Sequence, residues 1–220
     1  MKRPRIKICC ISNIAEAKLA IDFGASALGL VGKMPSGPGI IDDPLIATIA
    51  KTIPPPVASV LLTSETEALG IIDHYKKVNT TAIQLVDALK EDQYAIIKQA
   101  LPHIKLVQVI HVAGEHAIGQ ALLVAELADA VLLDSGNPEL PVKELGGTGR
   151  THNWEISRAI REILSIPVFL AGGLNEKNIR QAIDAVQPYG IDVCSGVRTG
   201  GALDPVKLKG FFSAIEKSYS

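Results

Sequence analysis

A closed (β/α)8 barrel of the TIM type is the α/β fold class that this 220-residue sequence predicts. Three observations lead there. Short apolar, β-branched runs recur at regular spacing, segments of helical periodicity separate them, and no composition break or long linker interrupts the alternation. Residues 1–220 are therefore expected to form one domain, within the roughly 200–250 residues that such barrels occupy.

The expected strands are Ile6–Cys10, Ala27–Val31, Val57–Leu62, Ala82–Val86, Ile104–Val112, Ala130–Leu133, Val168–Ala171 and Ile191–Cys194. Most are too continuously apolar for a sheet with one wet face and suit parallel strands buried on both sides. Helical spacing is clearest over Ile14–Phe23, Pro44–Thr52, Ile156–Leu164 and Ile179–Val186. Asn13 followed by Glu16 resembles a capping box, and Asp43-Pro44 and Asp204-Pro205 place a capping carboxylate before a proline. An open doubly wound sheet is the competing layout. It would need a glycine-rich turn after the first strand, and here that turn is Cys10-Ile11-Ser12.

Composition narrows the function. A net charge of −1 argues against a nucleic-acid footprint, and no apolar run reaches the length of a membrane span. The basic start Met1-Lys2-Arg3-Pro4-Arg5 lacks the apolar stretch of a signal peptide and reads as a solvated tail. Three cysteines, two of them adjacent, make no disulfide framework, so a reduced, cytoplasmic protein is expected. The five histidines show no metal-ligand spacing; His111 and His116, which straddle a strand–helix junction, read as rim residues. Neither a metal nor another cofactor is expected, and nothing in the sequence signals an oligomeric state.

Catalytic groups of such barrels sit at the C-terminal ends of the strands. Cys9 ends the first strand, where it is either a small core residue or an acid–base thiol. Strand alternation puts Lys7 and Cys9 on one face and Cys10 on the other, so that Cys10 is expected to pack outward against the helices. An ammonium such as Lys7 one pleat away would favour the thiolate. Asp134 ends the sixth strand, where it is either a functional carboxylate or a cap for the following loop. The longest irregular stretches, Gly32–Ile41 and Ser135–Arg150, follow strands on the same side.

Three glycine-bearing turns fall after the last three strands: Gly146-Gly147-Thr148-Gly149, Gly172-Gly173 and Ser195-Gly196. Glycine lets backbone N–H groups approach an oxyanion closely, and these are the loops in which barrels bind phosphate. Gly147, Thr148, Gly149, Gly172, Gly173, Ser195 and Gly196 are accordingly candidates for a phosphate cradle, with Thr148 and Ser195 adding hydroxyl donors.

In this order the motifs resemble the phosphoribosylanthranilate isomerase family of tryptophan biosynthesis, over nearly the whole chain. The matching residues are Lys7-Ile8-Cys9 with Asn13, Ile83-Gln84-Leu85, Leu132-Leu133-Asp134, Gly146 through Thr151 with Trp154, Gly172-Gly173-Leu174-Asn175 and Asp192 through Val197. The resemblance implies an Amadori rearrangement of an N-linked phosphoribosyl amine to a 1-deoxyribulose 5-phosphate. Asp134 would be the general acid and Cys9 the base. Lys7, Gln84 and Asp192 would position the sugar or the acid. The implied partner is a small phosphoribosyl substrate.

The chain departs from the family pattern where the aromatic carboxylate should bind. The family's Ser-x-Arg is Ser36-Gly37-Pro38, its Gln-Leu-His-Gly is Gln84-Leu85-Val86-Asp87, Cys10 stands where glycine is usual, and Arg198 replaces an acid. Arginine forks onto a carboxylate with two charge-assisted hydrogen bonds, and proline offers none. Lys33, Arg150 and Arg198 read as surface or phosphate-rim charges. Two further readings therefore stand beside the first: a phosphosugar isomerase with another substrate, and a barrel that binds a phosphorylated ligand without turnover.

Overall fold

The chain is described by a computed structural model that covers residues 3–136 and 151–217. The first four units are β1 (Arg5–Ile8), α1 (Ile14–Asp22), β2 (Ala27–Val31), α2 (Asp43–Thr52), β3 (Ala58–Thr63), α3 (Ala68–Val78), β4 (Ala82–Leu85) and α4 (Glu91–Ala100). The second four are β5 (Lys105–His111), α5 (His116–Ala125), β6 (Ala130–Asp134), α6 (Trp154–Ile163), β7 (Val168–Leu170), α7 (Ile179–Val186), β8 (Gly190–Val193) and α8 (Pro205–Glu216). The eight strands pair in parallel in sequence order and β8 returns to β1, closing the barrel. A 3₁₀ turn, Ser195–Val197, and a two-residue pairing of β9 (Arg198–Thr199) with β10 (Ala202–Leu203) link β8 to α8.

Alternation along each strand divides the interior in two. Ile6 and Ile8 of β1 pack with helix residues such as Phe211 and Ile215 in the layer between sheet and helices. Inside the barrel, Cys9 joins Val31, Val60, Leu62, Val109 and Leu132 in a separate cluster. Continuous apolar strands are thus explained by two buried faces. No helix among the described residues is long and apolar enough to cross a membrane.

Helix starts follow the sequence with two adjustments. Asn13 caps α1 by accepting from Glu16 N, but Glu16 reaches back to Ser12 N and not to the cap residue itself. Asp42, rather than Asp43, caps α2 through Leu45 N; Asp43 enters the first turn and its carboxylate lies 3.1 Å from His74 Nε2. One residue of shift lets both carboxylates serve, one at the cap and one beside an imidazole. Asp204 caps α8 as its Asp-Pro pair predicts, accepting from Val206 N and Lys207 N.

Candidate active site

A pocket opens at the C-terminal ends of the strands, and its wall takes residues from β2, β3, β4, β6 and β8 and from the segments that follow β1, β2, β4, β7 and β8. Cys9 and Asp134 both line it, as do Gln84, Gly172, Gly173, Asp192 and Ser195. Seven of the sequence-predicted residues therefore meet around one cavity. Gly147, Thr148 and Gly149 lie outside the described residues.

Cys9 follows the last residue of β1, and its N–H still donates to Val193 O at 2.9 Å. The side chain packs over Gly29 of β2: a Cβ on Gly29 would fall 2.8 Å from Cys9 Sγ and 3.1 Å from Lys7 Nζ. Thiol and ammonium are thus neighbours inside the barrel, as alternation requires. Lys7 does not itself line the pocket. It is buried below the wall and donates to Asp192 Oδ1 at 2.9 Å, across the β1–β8 pairing that sets Lys7 opposite Asp192. Burial works against the ammonium, but Asp192, the two thiols beside it and the Asp192 hydrogen bond outweigh that, and the Lys7 pKa is raised.

Asp134 ends β6 and is 7% exposed. Its Oδ1 accepts from Ser135 N at 2.7 Å, so it caps the following loop and faces the pocket at once. Burial raises its pKa. The Ser135 N–H and the nearby His111 and Lys7 pull the other way, while Asp192 adds to the rise. The net shift favours the protonated acid. Gln84 is buried at the pocket wall, and its Oε1 has no hydrogen-bond partner among the described residues.

Gly172 and Gly173 both adopt positive φ, 83° and 63°, which L side chains rarely take. Their N–H groups donate to no acceptor among the described residues. The adjacent His152 has Nε2 2.7 Å from Ser157 Oγ, and burial pushes its pKa down to about 4. Gly196 does not line the pocket. Its lack of a side chain serves packing, since a Cβ would collide with the Leu174 carbonyl of the β7 loop.

Three sequence expectations are corrected. Cys10 does not pack outward against the helices: with φ of 63° it leaves the strand alternation, joins the inner cluster and lines the pocket. Its Sγ lies 2.7 Å from Cys194 Sγ. That contact pushes the Cys10 thiol up and the Cys194 thiol down, and Arg198 reinforces the latter. Arg198 is no rim charge but a buried residue clasped to Glu16 of α1. His111 is likewise buried, its Nε2 3.3 Å from Val86 O, while His116 is exposed at the start of α5.

Cys194 was absent from the candidates, although Asp192 two residues earlier is among them and period two places both on one face. Arg198 carries no local signal, because the carboxylate that holds it, Glu16, lies 182 residues away in the chain. Apart from Ser36, the remaining wall is largely apolar, with Val31, Met34, Pro38, Leu62 and Val86 among its residues. Gly39 anchors the loop after β2 against this wall, for a Cβ there would meet Cys10 Cα at 2.9 Å.

The closed eight-stranded barrel brings a thiol and a buried carboxyl group to one mouth, and the relatives that it matches are aldose–ketose isomerases. A family model described as N-(5'phosphoribosyl)anthranilate (PRA) isomerase matches residues 6–214, and the chain belongs to that family. The N-(5'-phosphoribosyl)anthranilate isomerase of Methanocella arvoryzae is 36% identical over 88% of this chain and 88% of its own. The phosphoribosyl anthranilate isomerase structure from Thermotoga maritima is 29% identical with a TM-score of 0.81, covering 97% of this chain and 99% of that one. A phosphoribosyl anthranilate isomerase solved with reduced 1-(o-carboxyphenylamino)-1-deoxyribulose 5-phosphate is 27% identical, with a TM-score of 0.78 and coverage of 97% and 99%.

Proposed function

We propose that this protein isomerises phosphoribosylanthranilate in tryptophan biosynthesis, in the cytoplasm, with Asp134 as general acid and Cys9 as base. The observation that carries the assignment of roles is that Cys9 from the end of β1 and Asp134 from the end of β6 line one pocket. Protonated Asp134 gives its proton to the furanose ring oxygen, and the ring C–O bond opens to an iminium. Cys9 takes the C2 proton, the electron pair moves toward nitrogen, and an enolamine forms. Protonation at C1 and loss of the enol proton give the ketose. The iminium is the electron sink, and each proton-transfer role is worth about 10²–10⁴ in rate.

The substrate phosphate lies against the turn after β7 and the start of the turn after β8, with the Gly172 and Gly173 N–H groups as donors and Ser195 completing the cradle. Gln84 and Asp192 hold sugar hydroxyls, and Lys7 fixes Asp192. Purified protein should consume phosphoribosylanthranilate, and Cys9→Ala or Asp134→Ala should stop it. A wild type that binds phosphate normally yet leaves this substrate untouched would overturn the assignment.

One observation favours a second reading, with a different amine on the sugar. No lysine or arginine appears among the described residues lining the pocket, and Pro38 stands there in place of the family's arginine. If that reading holds, Pro38→Arg should create or raise activity on the anthranilate substrate, and an unchanged rate would count against it.

A further inference from the structure

We propose that Arg198 is a positioning residue for Cys9, acting through the carbonyls on either side of the turn that carries the thiol. The inference rests on the catalytic role proposed for Cys9.

The polypeptide leaves the barrel sheet at Cys9. Cys9 N–H keeps its bond to Val193 O and Ile11 N–H bonds Gly29 O, but between them the chain turns through the left-handed Cys10. The Cys9 and Cys10 carbonyls point out of the ladder. Both are met by the same nitrogen: Arg198 Nη2 donates to Cys9 O at 3.2 Å and to Cys10 O at 2.5 Å.

The guanidinium is itself fixed. Nη1 donates to Glu16 Oε1 at 3.0 Å and Nη2 to Glu16 Oε2 at 3.1 Å, with Nη1 also reaching Gly201 O at 2.9 Å. Glu16 is tied in turn by Ser12 N–H at 3.0 Å and Leu203 N–H at 2.8 Å. The clasp therefore joins the start of α1, the β9–β10 pairing and the end of β1 at the residue that holds the thiol. Both partners are buried, at 8% and 7% exposure, so water cannot take over the bonds. A flexible ammonium lacks the planar fork that serves Glu16 and the two carbonyls together.

A thiol that must meet a C2 proton depends on this backbone, because a misplacement of 1 Å can cost about 10²-fold in rate. A residue that only stabilised the fold would lower the melting temperature and leave turnover by the folded protein intact. Arg198→Lys keeps the charge and loses the fork. Glu16→Gln with Arg198→Met removes the clasp without leaving an unpaired buried charge, and so guards against a variant that merely fails to fold.

The test measures kcat and KM for phosphoribosylanthranilate below the melting point of each variant, together with the rate of Cys9 alkylation by iodoacetamide, located by tandem mass spectrometry. Positioning predicts kcat lower by about 10- to 100-fold in both variants, with KM within about threefold. Cys9 alkylation should change by at least about fivefold, since it follows thiol placement and access. Variants with wild-type kcat and wild-type Cys9 alkylation, whatever their melting points, would overturn the proposal. A wild type without turnover would instead overturn the catalytic reading of Cys9. The alkylation rates would still decide whether Arg198 places that thiol.

Discussion

Lys7 Nζ lies 2.9 Å from Asp192 Oδ1 inside the barrel, and the pair joins the first strand to the last at the seam where the sheet closes. Both side chains are nearly inaccessible, at 4% and 9% exposure. Breaking a buried pair on one side strands the other charge. Lys7→Met should therefore lower stability by about 3–5 kcal/mol, and Lys7→Met with Asp192→Asn by clearly less. Urea denaturation of the three proteins compares them directly. Because the folded pKa of Lys7 is raised above the ordinary lysine value of 10.5, the pair's contribution is complete below that value and is lost only as pH rises through the folded pKa. The difference between wild type and Lys7→Met should stay level from about pH 6 to 9.

Asp134 answers pH in the opposite sense to a paired carboxylate. Its pKa is raised by burial, so the folded state holds a proton that the unfolded chain has already released. Stability from this group is thus lost as pH rises through the ordinary carboxylate range toward the folded pKa. Asp134→Asn removes that loss while lowering kcat by about 10²–10⁴. Melting temperatures of the two proteins between pH 4 and 8 should diverge in favour of the variant as pH rises. A constant gap would contradict the raised pKa.

Cys10 occupies a backbone conformation that costs a side-chain-bearing residue roughly 1–2 kcal/mol relative to glycine. Cys10→Gly should relieve that strain and lose a small buried thiol, for a net change within about 1 kcal/mol. Cys10→Val adds a branched Cβ at the same φ and should be destabilised by about 2 kcal/mol or more. Equal effects of the two substitutions on denaturation midpoint would argue against a left-handed residue 10.

His152 is neutral in the fold, with its pKa lowered by burial to about 4 from 6.5. The unfolded chain binds a proton there first, so stability should fall as pH drops from about 6.5 and level off near 4. His152→Gln should lack this component. Melting curves across that window test it: parallel pH profiles for both proteins would exclude a buried neutral imidazole.

The strand count, the parallel order and the inward placement of Lys7 and Cys9 were legible because two buried faces and a period of two leave a plain sequence pattern. Asp134 was legible as a carboxylate at a strand end, and its capping and pocket-facing alternatives turn out to be compatible, since one oxygen meets Ser135 N–H. Cys10 was misread because alternation holds only while the strand continues, and β1 stops at Ile8. A cysteine does not itself mark a positive φ, and the signal was the glycine that the family usually carries at this position. Arg198 was misread for a different reason: its burial depends on Glu16, a partner that only the closing of the barrel brings near. Gly196 looked like part of an anion turn, and its need for a bare Cα comes instead from a neighbouring loop that sequence spacing does not reveal.

The seat of Gly39 on Cys10 has a consequence for redesign. Where the segment after β2 bears on the choice of amine, exchanging it for that of a relative cannot be done alone, since the incoming backbone must lie flush on whatever side chain stands at position 10. A larger residue there would lift the transplanted segment off the mouth. Substrate preference and the residue following the thiol are mechanically geared, and the two should be varied together in any library built to retune this enzyme.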